Sequence, residues 1–208
     1  MQLRRVFQGL ALGIFILLMI LGKQQLWFLF FLVGVLGAFW WGRFYCAWLC
    51  PINTSIEIVD KIYQKLGIKR REVPKWAKNS WVRYFMLILF IATVVVMITT
   101  GQKIPVLLIL VILGVFLSLF YLPAFWHRYL CPYGTILSFT GNRARKNYFI
   151  QTEKCIKCNK CAGVCPADAV IVKDIKEYPA IDKGVCLLCA ECALTCPTNA
   201  IIYGKQRR

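Results

Sequence analysis

The chain has 208 residues, of which 59% are hydrophobic and 17% charged, and its mean hydropathy is +0.61. Soluble domains carry about 25% charged residues, so this composition suits a lipid solvent better than water. A net charge of +17 would fit nucleic-acid binding, but the placement of the basic residues along the chain argues for a membrane-topology signal instead.

Four apolar runs, residues 6–21, 26–41, 84–100 and 104–126, contain no Asp, Glu, Lys or Arg and predict four membrane-spanning helices. With flanking residues the spans cover about 6–22, 26–46, 84–100 and 104–126, the second running on through Arg43 toward Cys50. Arg4-Arg5-Val6-Phe7 resembles a twin-arginine export signal. No small-residue cleavage site follows and three more spans do, so the first span reads as an uncleaved anchor. Gln8 is a polar candidate for contact with a quinone headgroup. Lys23-Gln24-Gln25 and Gly101-Gln102-Lys103 read as tight turns, which pairs the spans as two hairpins.

Residues 51–83 form a long polar loop. Within it, residues 55–66 predict an amphipathic helix on the membrane surface, followed by the basic cluster Lys69-Arg70-Arg71. The side that carries the N-terminus, this loop and the tail holds 23 basic residues, or 24 with Arg43; the other holds Lys23 and Lys103. The positive-inside rule then puts both termini and the loop in the cytoplasm. Trp40, Trp41, Trp76, Trp81, Tyr84, Trp126 and Tyr129 read as an aromatic belt near that inner boundary.

The ends of spans two and four match each other: Phe44-Tyr45-Cys46-Ala47-Trp48-Leu49-Cys50-Pro51 aligns with Phe125-Trp126-His127-Arg128-Tyr129-Leu130-Cys131-Pro132. Each hairpin thus ends in Cys/His-x3-Cys-Pro, a second candidate duplication. An i, i+4 pair shares one helix face, and proline breaks the helix just after each second cysteine. Brought together at the inner boundary, Cys46, Cys50, Cys131 and His127 form a candidate metal site for a third iron–sulfur or other metal centre.

Eight of the eleven cysteines fall in two runs. Cys155-x2-Cys158-x2-Cys161-x3-Cys165-Pro166 is repeated 31 residues later as Cys186-x2-Cys189-x2-Cys192-x3-Cys196-Pro197. The repeat extends past the cysteines, Cys-Pro-Ala-Asp-Ala-Val-Ile-Val recurring as Cys-Pro-Thr-Asn-Ala-Ile-Ile-Tyr, so it is an internal duplication. Three thiols two residues apart can wrap a loop round one face of a cubane cluster, with backbone N–H groups aimed at its sulfurs. Zinc sites use paired rather than tripled ligands, and a cytoplasmic location disfavours disulfides.

Residues 148–203 resemble the bacterial two-[4Fe–4S] ferredoxin family. In that family the fourth cysteine of each run ligates the other cluster. The resemblance implies Cys155, Cys158, Cys161 and Cys196 for one [4Fe–4S] cluster and Cys186, Cys189, Cys192 and Cys165 for the second. It also implies short strands and two short helices in a pseudo-twofold arrangement. The whole chain resembles the NapH/NosR-type membrane polyferredoxins. The first membrane motif is intact at Cys46, Cys50 and Pro51; the second has His127 where cysteine is expected.

The expected fold is a membrane all-α four-helix bundle of two hairpins (residues 1–140) plus a small α+β two-[4Fe–4S] ferredoxin-like domain (148–204). The family resemblance implies single-electron exchange between a redox partner protein and a membrane-edge site, with the quinone pool a candidate partner. An accessory role, supplying electrons for metalloenzyme assembly, is the alternative. One histidine and no Cys-x-x-Cys-His exclude bis-histidine and c-type haem, and no Gly-x-Gly-x-x-Gly marks a dinucleotide site. With four cysteines per cluster no iron is left open for substrate, so no catalytic residue is assigned.

Overall fold

The computed structural model of the chain describes residues 2–23, 25–101, 104–174 and 177–205; the expected turn residues Gln24, Gln102 and Lys103 lie outside these. The first part is helical: α1 (Gln2–Ile20), α2 (Gln25–Trp41), α3 (Phe44–Trp48), α4 (Pro51–Leu66), α5 (Ser80–Thr100), α6 (Val106–Phe120), a π-helical turn over Phe125–Leu130, and α7 (Pro132–Gly141). Among them α1 and α5 are long and apolar enough to cross a membrane, and α2 and α6 are shorter apolar helices.

The packing repeats. α1 and α5 occupy equivalent places, as do α2 and α6, α3 and the π turn, and α4 and α7. Each last helix packs against the other repeat: α4 lies on α6, and α7 lies on α2. Within each repeat, α4 also touches α1 and α7 touches α5. The duplication expected from the two Cys-Pro motifs is therefore visible as a pseudo-twofold bundle.

The corners differ from expectation. The second span does not run on toward Cys50; α2 stops at Trp41, and Gly42 takes a left-handed conformation (φ +73°) that L side chains resist. The chain then folds back along α2. A Cβ on Gly37 would stand 2.7 Å from the Phe44 ring, and one on Gly34 2.9 Å from Tyr45. Tyr45 accepts a hydrogen bond from Trp27 Nε1 at 2.9 Å, most of the way up α2. The fourth apolar run likewise ends at Phe120, and the π turn folds back until Trp126 meets Gly114 in mid-α6.

Cys50 and Cys131 are each followed by a proline at the first turn of a helix, where its missing N–H costs nothing. The helices begin inside the bundle. Ile52 packs at Gly114, and Tyr133 packs edge-on against Phe31 (4.6 Å between ring centres) and near Phe90 (5.1 Å). So the two Cys-Pro motifs lie halfway along the apolar helices, not at their inner ends. Protein surrounds the irregular backbone of these corners, with Tyr45, Cys46, Ala47, Phe125, Trp126 and His127 all buried.

Residues 55–66 are helical as expected, but α4 starts earlier, at Pro51. It buries Pro51, Ile52, Asn53, Thr54 and Ile56 instead of lying wholly on a surface. It ends at Gly67 in the left-handed form, the usual stop. Arg71 then pairs with the end of α6 through Phe120 and Leu122. Of the expected aromatic belt, Trp40, Trp41, Trp76, Trp81 and Tyr84 are exposed, whereas Trp126 and Tyr129 are buried.

The C-terminal part is small and α+β. β1 (Asn147–Ile150), α8 (Lys160–Gly163), β2 (Val170–Ile171), β3 (Ala180–Ile181), α9 (Glu191–Thr195) and β4 (Ile201–Gly204) form two two-stranded antiparallel sheets, β1 with β4 and β2 with β3. The pairings are crossed. The strand before the first cysteine run pairs with the strand after the second (Tyr148 opposite Tyr203). The strand before the second run pairs with the strand after the first (Val170 opposite Ile181). This domain docks on the end of α2: Arg145 and Lys146 N–H donate to Phe39 and Trp40 carbonyls, and Tyr203 OH donates to the Trp41 carbonyl.

Candidate metal centres

Crossed strands bring crossed cysteines together. One cavity is lined by Cys155, Cys158, Cys161 and Cys196, with Pro197 and Thr198. A second is lined by Cys165, Cys186, Cys189 and Cys192, with Pro166. All eleven cysteines are free thiols. Among the described residues no three His, Cys, Asp or Glu side chains converge tightly enough for a single metal ion. Four thiols round a cavity, without convergence on one point, suit a multi-atom cluster better than zinc.

The backbone supports the same reading. Six non-glycine residues have positive φ: Lys157, Asn159, Asp168, Leu188, Ala190 and Asn199. They form three pairs, each one period of the duplication apart. A left-handed residue costs about 1–2 kcal/mol, least for Asn and Asp. Lys157, Leu188 and Ala190 have no such excuse, so an external constraint must repay them. Between the first three cysteines of each run, left-handed residues turn the loop into a cup. After the fourth, they aim N–H groups back at sulfur. Ala169 N–H donates to Cys165 Sγ at 3.2 Å, and Ala200 N–H donates to Cys196 Sγ at 3.3 Å. An N–H directed at a thiolate sulfur is what a cluster ligand needs.

The two cavities differ in setting. Cys158 is exposed and Cys155 half-buried; Cys186 and Cys192 are buried. Burial, with the neighbouring thiols Cys186 and Cys165, pushes the Cys192 thiol up to about 12. Burial also pushes Cys186 up to about 11, Arg43 opposing it weakly. At Cys196 burial acts the same way but is outweighed by the Ala200 N–H and the Thr198 hydroxyl, leaving that thiol below its ordinary range. Loading the buried quartet must displace protons, so it is favoured as pH rises.

The other three thiols, Cys46, Cys50 and Cys131, are buried in the bundle and lie within electrostatic reach of one another. Gly134 N–H donates to Cys131 Sγ at 3.3 Å. His127 is buried too, but the charged groups it faces are Arg43 and Glu57. It lines an open cleft between α4, the π turn and the second cysteine cavity, shared with Asn53, Glu57, Cys165, Cys189 and Glu191.

Sequence reasoning missed the polar groups that hold these parts together. Arg4, read as part of an export-like motif, is buried and pairs with Glu57 of α4 and Glu191 of α9, both at 2.9 Å. Gln8, read as a quinone contact, donates to the Ala47 carbonyl and to Glu57. Burial alone would raise the Glu57 carboxyl. The bonds from Lys61 and Gln8 and the Arg4 charge more than offset it and hold the group below its usual range. Arg4, Glu57 and Glu191 lie on three different helices far apart in sequence, which leaves no local signal for such pairs.

Fold and cavities together define an iron–sulfur protein with a duplicated cysteine domain. Two family models match the chain: a 4Fe-4S binding domain over residues 24–69 and 104–148, the two segments that carry the Cys-Pro corners, and a 4Fe-4S dicluster domain over 130–201. The chain is 30% identical over 157 residues to an uncharacterized protein of Methanocaldococcus jannaschii, covering 72% of this chain and 62% of that one. It is 28% identical over 161 residues to YccM of Escherichia coli, whose name carries a provisional electron-transport assignment (64% and 43% covered). It is 29% identical over 142 residues to the methylamine utilization ferredoxin-type protein MauN of Methylobacillus flagellatus (62% and 50% covered). It is thus a 4Fe-4S binding protein related to YccM and to the ferredoxin-type MauN proteins. The chain spans less than two thirds of the length of these relatives. No solved structure matches it.

Proposed function

We propose that the protein is a membrane-anchored electron carrier that relays single electrons between the thiol-lined interior of its bundle and a redox partner. The observation that carries this reading is the pair of cavities, each lined by four cysteines in the crossed combination. Two [4Fe–4S] clusters supply one-electron redox chemistry when bound. Cys155, Cys158, Cys161 and Cys196 grip one; Cys165, Cys186, Cys189 and Cys192 grip the other. The names of YccM and MauN fit an electron-transport role.

Burial supports the membrane anchor. α5 buries only Val82 and leaves Phe85, Ile88, Ile91, Val95 and Ile98 exposed, as a core helix of a soluble protein would not. Each such side chain left in water forgoes about 1.5–3 kcal/mol, which lipid restores. The basic residues crowd onto the side of α4, the linker and the cysteine domain, so that side is cytoplasmic by the positive-inside rule. The bundle comprises residues 1–140 and the cluster domain 148–204. Cys46, Cys50 and Cys131 are the candidate thiols for a further centre within the bundle, and His127, the fourth member of the expected set, lines the cleft where a quinone headgroup or partner protein reaches the second quartet.

Iron and acid-labile sulfide on anaerobically purified protein test the reading. Two centres require about eight irons per chain, and a third raises the count in a way that Cys46→Ser abolishes. Reduction by quinol in membranes tests the direction of exchange. Protein with no iron or sulfide ends the proposal. Because Cys158 is exposed and Cys186 and Cys192 are buried, an iron chelator is expected to strip the first quartet before the second. Iron release followed by absorbance should show two phases of similar amplitude; a single phase would mean the two settings do not differ in access.

A further inference from the structure

Arg43 sits at the corner between α2 and α3, directly after Gly42. It is 1% exposed. Its Nη1 donates to the carbonyls of Gly184 (2.9 Å) and Val185 (3.2 Å), the two residues that lead into Cys186. Its Nη2 lies 3.8 Å from Cys46 Sγ. Two glycines of α7 make the slot: a Cβ on Gly134 would stand 2.6 Å from Nη2, and one on Gly141 2.8 Å from Cγ. A single side chain therefore touches both the thiol site of the bundle and the backbone entering the second quartet.

None of its partners is a carboxylate. Arg4 is matched by Glu57 and Glu191 and Arg70 by Asp60, while Arg83, less buried than Arg43, donates to the Thr135 and Ser138 hydroxyls. Burying a guanidinium costs several kcal/mol unless a negative group faces it. Carbonyls and a neutral thiol do not supply one, and Arg43 Nε is buried with no partner at all. The negative charge that faces Arg43 must then come from thiolates and what they hold. Four thiolates round a [4Fe–4S] core leave that unit net negative, and each added electron makes it more so.

We propose that Arg43 is an electrostatic positioning residue, which raises the reduction potential of the centre gripped by Cys165, Cys186, Cys189 and Cys192 and couples that centre to Cys46. The inference rests on the reading that the quartets hold clusters. Reduction here adds one electron to the cluster, with no bond made or broken and no proton moved. A fixed positive charge beside it favours the reduced form. None of Arg43's hydrogen-bond partners lines the cavity of the other quartet, which is the internal control.

The test is a redox titration, with dithionite as reductant and EPR as readout, on the full-length protein in detergent. Wild type, Arg43→Gln and Arg43→Lys are compared. In Arg43→Gln one midpoint is expected to move to more negative potential while the other stays. The moving centre should be the one that survives in a Cys158→Ala background. Arg43→Lys, which keeps the charge but not the forked hydrogen bonds, is expected to leave both midpoints near wild type. Two unmoved midpoints in loaded Arg43→Gln, two midpoints moving together, or a lysine variant that behaves like glutamine would overturn the proposal. Should Arg43→Gln lose its iron, the lysine variant carries the test by itself: a displaced midpoint in it refutes the role of charge. Failure of the cluster reading is distinct, since it would appear as missing iron in the wild type before any variant is compared.

Discussion

Cys165→Ala is expected to remove the centre of the second cysteine run and spare that of the first. Cys165 belongs to the first run in sequence, yet it lines the cavity of Cys186, Cys189 and Cys192. Iron should fall from about eight to about four per chain, because a cubane that loses one of four thiolates is poorly held. The mirror variant, Cys196→Ala, should lose the other half. EPR separates the two models of ligation. If each run served its own cluster, Cys165→Ala and Cys161→Ala would lose the same signal; with crossed ligation they lose different ones, and Cys165→Ala matches Cys189→Ala. The damage should spread beyond the metal. The domain has only two sheets of two strands, and two-stranded units are marginal in water. Metal binding is then much of its folding free energy. Hydrogen exchange in Cys165→Ala should speed up in β2 and β3, which flank the emptied cavity, more than in β1 and β4.

The cysteine domain was legible in the sequence because its information is local. Ligand spacing within each run is short, and the duplication signals a twofold arrangement without any knowledge of long-range contacts. The crossed lining of the two cavities follows from the crossed strand pairs, β1 with β4 and β2 with β3, which the duplication alone does not dictate. The bundle was legible only in part. Periodicity and composition gave four apolar helices, the second and fourth of which stop short of the expected spans, at Trp41 and Phe120. They could not give the folding back at Gly42, since Phe44-Tyr45-Cys46-Ala47-Trp48 is equally apolar whether it prolongs α2 or packs against it. Arg43 was counted as one more basic residue at a membrane boundary. Its role depends on carbonyls at Gly184 and Val185 and on glycines at 134 and 141, all far away in sequence. Arg4, Glu57 and Glu191 were hidden for the same reason: three charges on three segments carry no shared pattern until the fold brings them within 2.9 Å.

Glycine substitutions separate the folded-back bundle from the simpler one with straight spans. Gly114 faces Ile52 and Trp126, both buried, and a Cβ there would lie 3.0 Å from each. Gly34 faces Tyr45, whose Cβ and ring would come within 2.9 Å, while its hydroxyl is held by Trp27. Neither neighbour can retreat, because packed interiors absorb an extra methyl only by moving backbone or forcing rotamers, at about 1–3 kcal/mol. Gly34→Ala and Gly114→Ala are therefore expected to lower the temperature at which detergent-purified protein loses its monodisperse peak. Leucine at either site should prevent recovery of folded protein. Gly9 and Gly13, inside α1, have nothing within 4 Å of an added Cβ. Alanine there should be neutral or stabilise by about 0.5–1 kcal/mol through helix propensity. If α2 instead ran straight to Cys50, Gly34 and Gly114 would lose these neighbours and resemble Gly9 and Gly13. All four alanine variants would then behave alike. A split between the two pairs requires that residues 44–52 and 125–133 return into the bundle, which is what brings Cys46, Cys50 and Cys131 within reach of one another.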